Sequence, residues 1–252
     1  MDHNNTNKKM YLSVVMPAYN EGAHIEANLL KTSETISKFV KNYEIIAVDD
    51  GSSDNTNVGM KNAANQDSHI RFISYEANQG KGYAIVQGVK ASEGEFIAFL
   101  DSDLELNPSM LKGFLKAINK TGADIAIGSK LHKDSKLDYP ITRRILSVGY
   151  FIILKVLFKL NLKDTQTGIK LFKAPVIKSI CENLSTTGFA FDIEILATAA
   201  SKGYKIIEMP IKLVFLRDRK AKSRITIPLI IKVFKDTLQI KKKLRGKNNG
   251  ES

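Results

Sequence analysis

The run Phe96-Ile97-Ala98-Phe99-Leu100 carries no charge, and it breaks off into Asp101-Ser102-Asp103-Leu104-Glu105. Five consecutive apolar residues predict a central strand covered on both faces, since only there does every side chain of a strand leave water. An Asp-x-Asp at the carboxyl end of such a strand can offer oxygen ligands to a hard divalent cation, and that cation can hold a phosphate-bearing substrate. Taken alone, the same residues also suit an Asx turn capping a helix that starts near Pro108. The surroundings decide between the two.

Upstream, Tyr11 to Met16 reads as a strand that Pro17 stops, because proline has no N–H for a ladder. Ala18 to Gly22 is a loop, and Ile25, Leu29, Ile36 and Val40 fall on one stripe of a helix within 21–40. A second strand, Tyr43 to Val48, ends in the polar turn Asp49 to Thr56, where Ser53 or Asp54 can cap a helix to Ala64. A third strand, Ile70 to Tyr75, leads through Asn78-Gln79-Gly80-Lys81-Gly82 into a helix ending near Ser92. Strands alternating with helices in this way predict right-handed β-α-β units, an α/β fold with one mostly parallel sheet sandwiched by helices. Ligands bind such sheets outside the carboxyl ends of the strands, so the clusters at 17–21, 49–54 and 101–105 fall along one rim. There is no Walker loop, and Gly80-x-Gly82 lacks the rest of a dinucleotide fingerprint, so a metal at Asp103 is the expected means of neutralising a diphosphate.

At 252 residues the chain is long enough for one large α/β domain or two small ones, and 43% hydrophobic with 25% charged residues is the balance of a folded protein. Its one cysteine, Cys181, cannot form an internal disulfide, which favours a reducing, cytoplasmic compartment. Met1 to Lys9 is polar, reads as a disordered terminus, and shows no apolar signal region. The net charge of +12 is uneven: residues 217–247 hold twelve Lys or Arg against Asp218 and Asp236, a local excess of +10. Such a run attracts a polyanion, either anionic lipid headgroups or nucleic acid.

In the carboxyl-terminal half, a helix from Pro108 to Lys120 and a strand from Asp124 to Gly128 precede an apolar run, Ile145 to Phe158, whose only charge is Lys155. Too short for the ~20 residues of a bilayer span, it is either a core helix or one lying in a membrane interface. Residues 225–243 interleave Ile, Leu, Val and Phe with lysines and predict an amphipathic basic helix before a flexible tail at 244–252. Basic residues spaced by aliphatic rather than stacking aromatic side chains fit a membrane surface, and no nucleic-acid partner is expected.

The set Val15-Met16-Pro17-Ala18-Tyr19-Asn20-Glu21, Val48-Asp49-Asp50-Gly51-Ser52, Asn78-Gln79-Gly80-Lys81-Gly82 and Asp101-Ser102-Asp103 resembles the inverting nucleotide-sugar glycosyltransferases of GT-A fold, family 2. Asp164-Thr165-Gln166-Thr167-Gly168-Ile169-Lys170-Leu171-Phe172 and Ala190-Phe191-Asp192-Ile193-Glu194-Ile195-Leu196 resemble, within it, the enzymes that load a polyprenyl or dolichyl phosphate with a sugar, the glucosyl branch more than the mannosyl. The resemblance implies a Rossmann-like nucleotide-sugar half at 10–130 and an acceptor half at 131–224, with membrane-interface helices after it. By the same resemblance Pro17, Tyr19, Glu21, Val48, Asp50, Lys81, Asp101, Ser102 and Asp103 would bind the nucleotide sugar. Asp101, Asp103 and Glu105 would hold Mg2+ or Mn2+. Lys130, Arg143, Ser147, Arg217, Arg219 and Arg224 would meet acceptor or diphosphate, although the Arg217 to Arg224 loop matches the family pattern only in part.

The implied reaction is inverting transfer of a hexose, from UDP-glucose first and GDP-mannose next, to a polyprenyl phosphate, at the cytoplasmic face of a membrane with which the protein is peripherally associated. A phosphate acceptor is largely ionised at neutral pH and needs no strong base. The work is then charge neutralisation and positioning by Asp103, Lys130 and Arg143. The alternative, transfer to a sugar hydroxyl, needs a carboxylate base, for which Asp192 is the candidate. A basic nucleic-acid-binding protein is the alternative of another class. Processive polymer synthases of the superfamily carry Gln-x-x-Arg-Trp, and this chain has no tryptophan.

Overall fold

The computed structural model describes residues 10–137, 157–158, 160, 162–188, 190–213 and 235–244. Strand β1 (Leu12–Ala18) is followed by α1 (Ile25–Ser37), β2 (Tyr43–Asp49), α2 (Thr56–Gln66), β3 (Ile70–Ser74), α3 (Lys81–Ala91) and β4 (Phe96–Leu100). Then come α4 (Met110–Thr121), β5 (Ile125–Ser129), β6 (Lys136–Leu137), β7 (Ile169–Lys173), α5 (Ala174–Cys181), α6 (Phe191–Ser201), β8 (Ile206–Pro210) and β9 (Lys212–Leu213). The seven-stranded sheet runs β3-β2-β1-β4-β7-β5-β8. All its pairings are parallel except those of β7, which lies antiparallel between β4 and β5. A two-stranded sheet, β6-β9, stands beside it.

The alternation of side chains along β1 sorts the core into two layers. Leu12, Val14 and Met16 face α1, α2 and α4, while Val15 faces the layer of α3, α5 and α6. β4 is buried at all five positions, with Phe96, Ala98 and Leu100 on the first face and Ile97 and Phe99 on the second. Each of the Ile, Leu and Phe side chains contributes about 1.5–3 kcal/mol on leaving water. Helix α4 shows the same logic: Leu111, Phe114, Leu115 and Ile118 form the buried stripe, and the helix ends where Gly122 turns left-handed at φ 68° with its N–H on the Ile118 carbonyl.

Boundaries moved by a few residues. The first helix begins at Ile25 rather than Glu21 and the fourth at Met110 rather than Pro108. The second helix opens after Asn55 rather than at Ser53 or Asp54, with no side-chain cap at Asn55, although Asp54 accepts the Thr56 N–H at 3.0 Å. Of the expected basic helix at 225–243, residues 225–234 lie outside the described residues; 235–244 are helical, so the helix reaches Leu244 rather than stopping before it. Its inner side is not turned to solvent. Ile240 is 1% exposed against Ala190 and Ile193 of the α6 region, with Phe158 and Leu244 at the margin. Phe158 is also the described end of the apolar run 145–158, whose residues 145–156 lie outside the described residues. Among the described residues no helix is long and apolar enough to cross a membrane.

Candidate active site

The site forms where β4 stops. Asp101 follows its last residue, and the Asp101 Oδ1 lies 2.5 Å from the Nζ of Lys81, the first residue of α3. The chain then turns sharply: Leu104 is held at φ 54°, a left-handed conformation that costs a non-glycine residue about 1–3 kcal/mol and gathers at functional sites. Asn28 of α1 ties the turn down by donating Nδ2–H to the Ser102 carbonyl at 2.8 Å. Asp103 Oδ1 accepts the Glu105 N–H at 3.2 Å.

Beneath Asp101 lies a second ion pair. Lys170 of β7 is 1% exposed, and its Nζ donates to Asp192 Oδ1 at 2.6 Å and to the Thr167 carbonyl at 2.7 Å. The turn that delivers β7 presses against Asp101: a Cβ on Gly168 would lie 2.0 Å from Asp101 Oδ2, so only glycine fits there. Pro17, Lys81, Ile85, Phe99, Leu100, Asp101, Thr167, Gly168, Lys170, Phe191 and Asp192 line the resulting cleft. At its flank Asp164 accepts the Lys130 N–H at 2.9 Å and the Thr167 hydroxyl at 2.6 Å, with Lys130 Nζ 3.4 Å away.

Two cations and two carboxylates in one cleft shift one another. Burial opposes ionisation of Asp101, but Lys81, joined by Lys170 and Lys130, outweighs it and holds the carboxyl below its usual range. Burial likewise works against the Lys81 ammonium, yet Asp101 and Asp192 keep its pKa above the ordinary lysine value. Asp192 goes the other way: burial raises its pKa, and Lys170 and Lys81 only partly offset that. Asp101 is therefore firmly ionised, while Asp192 binds a proton more readily than a free aspartate.

The other rim loops brace one another. Asn20 Oδ1 accepts the Ser53 N–H at 2.9 Å, Ser52 Oγ accepts the Asn20 N–H at 3.0 Å, and Thr56 Oγ1 accepts the Glu21 N–H at 2.8 Å. Asp50 is 4% exposed. Its carboxylate accepts from the Tyr75 hydroxyl at 2.7 Å, from Asn78 Nδ2 at 2.9 Å, and from the N–H groups of Gln79 at 2.9 Å and Gly80 at 3.0 Å. Burial, with the hydrogen bond to Asp50 next, pushes the Tyr75 hydroxyl well above its ordinary pKa.

The structure thus brings together Pro17, Lys81, Asp101 and Asp192 in the cleft, with Lys130 at its flank and Tyr19 exposed at 43% on the rim. The Val48 side chain is wholly buried in the α3-side core, and the Asp50 carboxylate holds the loop that launches α3. Among the described residues no three His, Cys, Asp or Glu side chains stand close enough to share one ion, Asp101, Asp103 and Glu105 included. Arg143, Ser147, Arg217, Arg219 and Arg224 lie outside the described residues. Sequence reasoning gave no role to Lys170, Thr167 or Gly168. The signal for the first was present: a lysine inside the apolar strand Ile169–Phe172 must find a buried partner.

Comparison with known proteins agrees with this geometry. Residues 13–181 match the family described as Glycosyl transferase family 2. A dolichyl-phosphate beta-glucosyltransferase of Saccharomyces cerevisiae is 32% identical over 233 residues, covering 84% of this chain and 69% of that protein. Its counterpart from Dictyostelium discoideum is 30% identical over 224 residues, covering 84% and 68%. Among solved structures, glucosyl-3-phosphoglycerate synthase from Mycobacterium tuberculosis, in complex with Mn2+, UDP and glucosyl-3-phosphoglycerate, superposes with a TM-score of 0.67 at 20% identity. That overlap covers 94% of this chain and 80% of the other, and at this identity it speaks for the fold.

Proposed function

The chain belongs to glycosyl transferase family 2, and from that premise we propose that it moves a hexose, glucose from UDP-glucose in the first instance, onto a polyprenyl phosphate of dolichyl type. The observation that carries the reading is Asp101-x-Asp103 at the end of β4, with Asp101 drawn to Lys81 at the mouth of a cleft. The dolichyl-phosphate glucosyltransferases at 30–32% identity over most of the chain support the lipid acceptor and the glucosyl donor.

The donor set fits a hard cation. Asp103 offers carboxylate oxygen beside Asp101, and Mg2+ is commonly held by one or two carboxylates with substrate phosphates and water completing its shell, so a three-carboxylate cage is not required. Bound at Asp103, Mg2+ or Mn2+ would supply Lewis-acid neutralisation of the leaving diphosphate. The chain's own residues do the rest. Lys81 orients Asp101 and adds positive charge at the cleft, while Lys130 stands at the flank where an anionic acceptor would arrive. An oxygen of the lipid phosphate attacks the anomeric carbon from the face opposite the diphosphate; the C–O bond to the diphosphate breaks with its electron pair, and configuration inverts. The proposed setting is the cytoplasmic face of a membrane, with the basic tail on its anionic surface.

A second reading rests on Asp192, whose carboxylate lines the cleft with a raised pKa. As a general base it would serve a sugar-hydroxyl acceptor. One assay separates the two: incubate the protein with radiolabelled nucleotide sugars, with and without polyprenyl phosphate, and follow label into organic solvent. Label from UDP-glucose that enters the solvent only when lipid phosphate is present is the expected result. Transfer to water-soluble glycans alone would replace the lipid reading with the Asp192 one. Asp103→Ala should abolish transfer with the thermal midpoint unchanged, and wild-type turnover in that variant would remove the metal assignment.

A further inference from the structure

Glu194 is used by neither reading, yet it is the most heavily bonded carboxylate of α6. Its side chain is 2% exposed. Oε1 accepts the Ser185 hydroxyl at 2.7 Å, Oε2 accepts the Thr186 N–H at 2.8 Å and its hydroxyl at 2.6 Å, and the Ser185 N–H lies 3.0 Å from both. A fifth donor comes from the tail: Lys243 Nζ lies 2.7 Å from Oε1 and also donates to the Asn183 carbonyl. Two residues on from Thr186's neighbour Ser185, the Thr187 carbonyl accepts the Gly82 N–H at 2.7 Å and the Tyr83 N–H at 3.3 Å, the first amides of α3 after Lys81. The approach is close enough that a Cβ on Gly80 would meet the Thr187 oxygen at 2.6 Å, and one on Gly82 would meet Phe191 at 2.7 Å.

A continuous path therefore joins the tail to the cleft. Helix 235–244 sits on α6 through Ile240 and Lys243; Glu194 cinches residues 183–187; and that segment fixes the amino end of α3, from which Lys81 reaches Asp101. We propose that Glu194 is a positioning residue that couples docking of the tail helix to the donor end of the cleft, so that the tail's seat on α6 sets how firmly Lys81 and Asp101 are presented to a nucleoside diphosphate. The inference rests on the nucleotide-sugar reading for its kinetic consequence, but its structural half stands without it.

The test compares Lys243→Ala, Lys243→Arg and Glu194→Gln with the full wild-type chain. Lys243 is 29% exposed, so its truncation opens no core cavity, though it leaves the buried Glu194 carboxylate without its cation, whereas Gln at 194 presents an NH2 that cannot accept from Ser185 or Thr186. Loss of a charge-assisted hydrogen bond is expected to raise the donor KM about tenfold in Lys243→Ala, with kcat within about twofold, and Lys243→Arg should restore it. Amide exchange at Gly82 and Tyr83 should quicken by a similar factor while the β1 and β4 amides hold, with the thermal midpoint only modestly lower from loss of the Lys243–Glu194 pair. Unchanged donor KM and unchanged Gly82 and Tyr83 exchange overturn the proposal. So does a uniform rise in exchange with a lower midpoint, which marks Glu194 as a general stability residue. If the wild type moves no sugar, the donor reading falls, and exchange at Gly82 and Tyr83 alone decides the coupling.

Discussion

At the residue scale the cleft is governed by contacts that tolerate little displacement. Gly168 is the sharpest case, because the Asp101 carboxylate occupies the place where any side chain would begin. Gly168→Ala must push Asp101 away from Lys81, and a shift of about 1 Å in a positioning group can cost about 10²-fold in rate. Turnover of this variant should fall by about that factor, with a lower thermal midpoint as the Asp101–Lys81 pair is disturbed; wild-type turnover would show that Asp101 is not held where the chemistry needs it. The Lys170–Asp192 pair follows another rule. Taking two charges out of water is costly, so the pair is retained only because each group, with the Thr167 carbonyl, satisfies the other. The Gly168 contact is not visible in the linear chain, and for Lys170 the chain shows that a buried partner is needed without showing that it is Asp192.

At the scale of elements, strand and helix identities were legible because burial dictates period. β4 is apolar without a break, β1 and β2 are largely so, and α4 carries a clean stripe, so their placement needed nothing beyond the pattern. β7 was not legible as an antiparallel strand, because a five-residue run says nothing about its direction relative to β4 and β5. The tail helix was half legible. Its amphipathic character was plain, but which side faces protein and which faces outward is decided by α6: Ile240 is buried, while Lys235, Leu238 and Lys242 are exposed. Those outward residues are the ones expected to meet anionic lipid. Each basic residue near such a surface contributes about 1 kcal/mol, so Lys235→Glu with Lys242→Glu should weaken sedimentation with phosphatidylserine vesicles by at least about 30-fold, as added salt should. Equal sedimentation of variant and wild type would assign membrane contact elsewhere or nowhere.

At the scale of the whole molecule, charge placement sets the response to pH. Asp101 is held below its usual range despite burial, by Lys81; Asp124 by its hydrogen bond to Lys173; and Glu194, again despite burial, by Lys243, Thr186 and Ser185. A carboxyl whose folded pKa is depressed stabilises the fold above its unfolded pKa and loses that contribution as pH falls through the folded one. Asp192, raised instead, acts in the opposite sense, favouring the fold relatively more at low pH. With the depressed groups in the majority here, the thermal midpoint should be flat near neutrality and fall as pH drops below the ordinary values of 4.5 and 3.8; a midpoint unchanged down to pH 3 would refute this accounting. The linear chain by itself determined the α/β class, the largely parallel sheet and the rim on which the acidic turns lie, because hydrophobic periodicity and strand-end chemistry are properties of neighbours in sequence. Only the tertiary structure decided that Asp50 supports a loop, that Lys170 neutralises Asp192, and that the basic tail reaches the cleft through Glu194. Those roles depend on groups 22 to 49 residues apart meeting in a low-dielectric interior, where the partner, not the residue type, determines what a charge does.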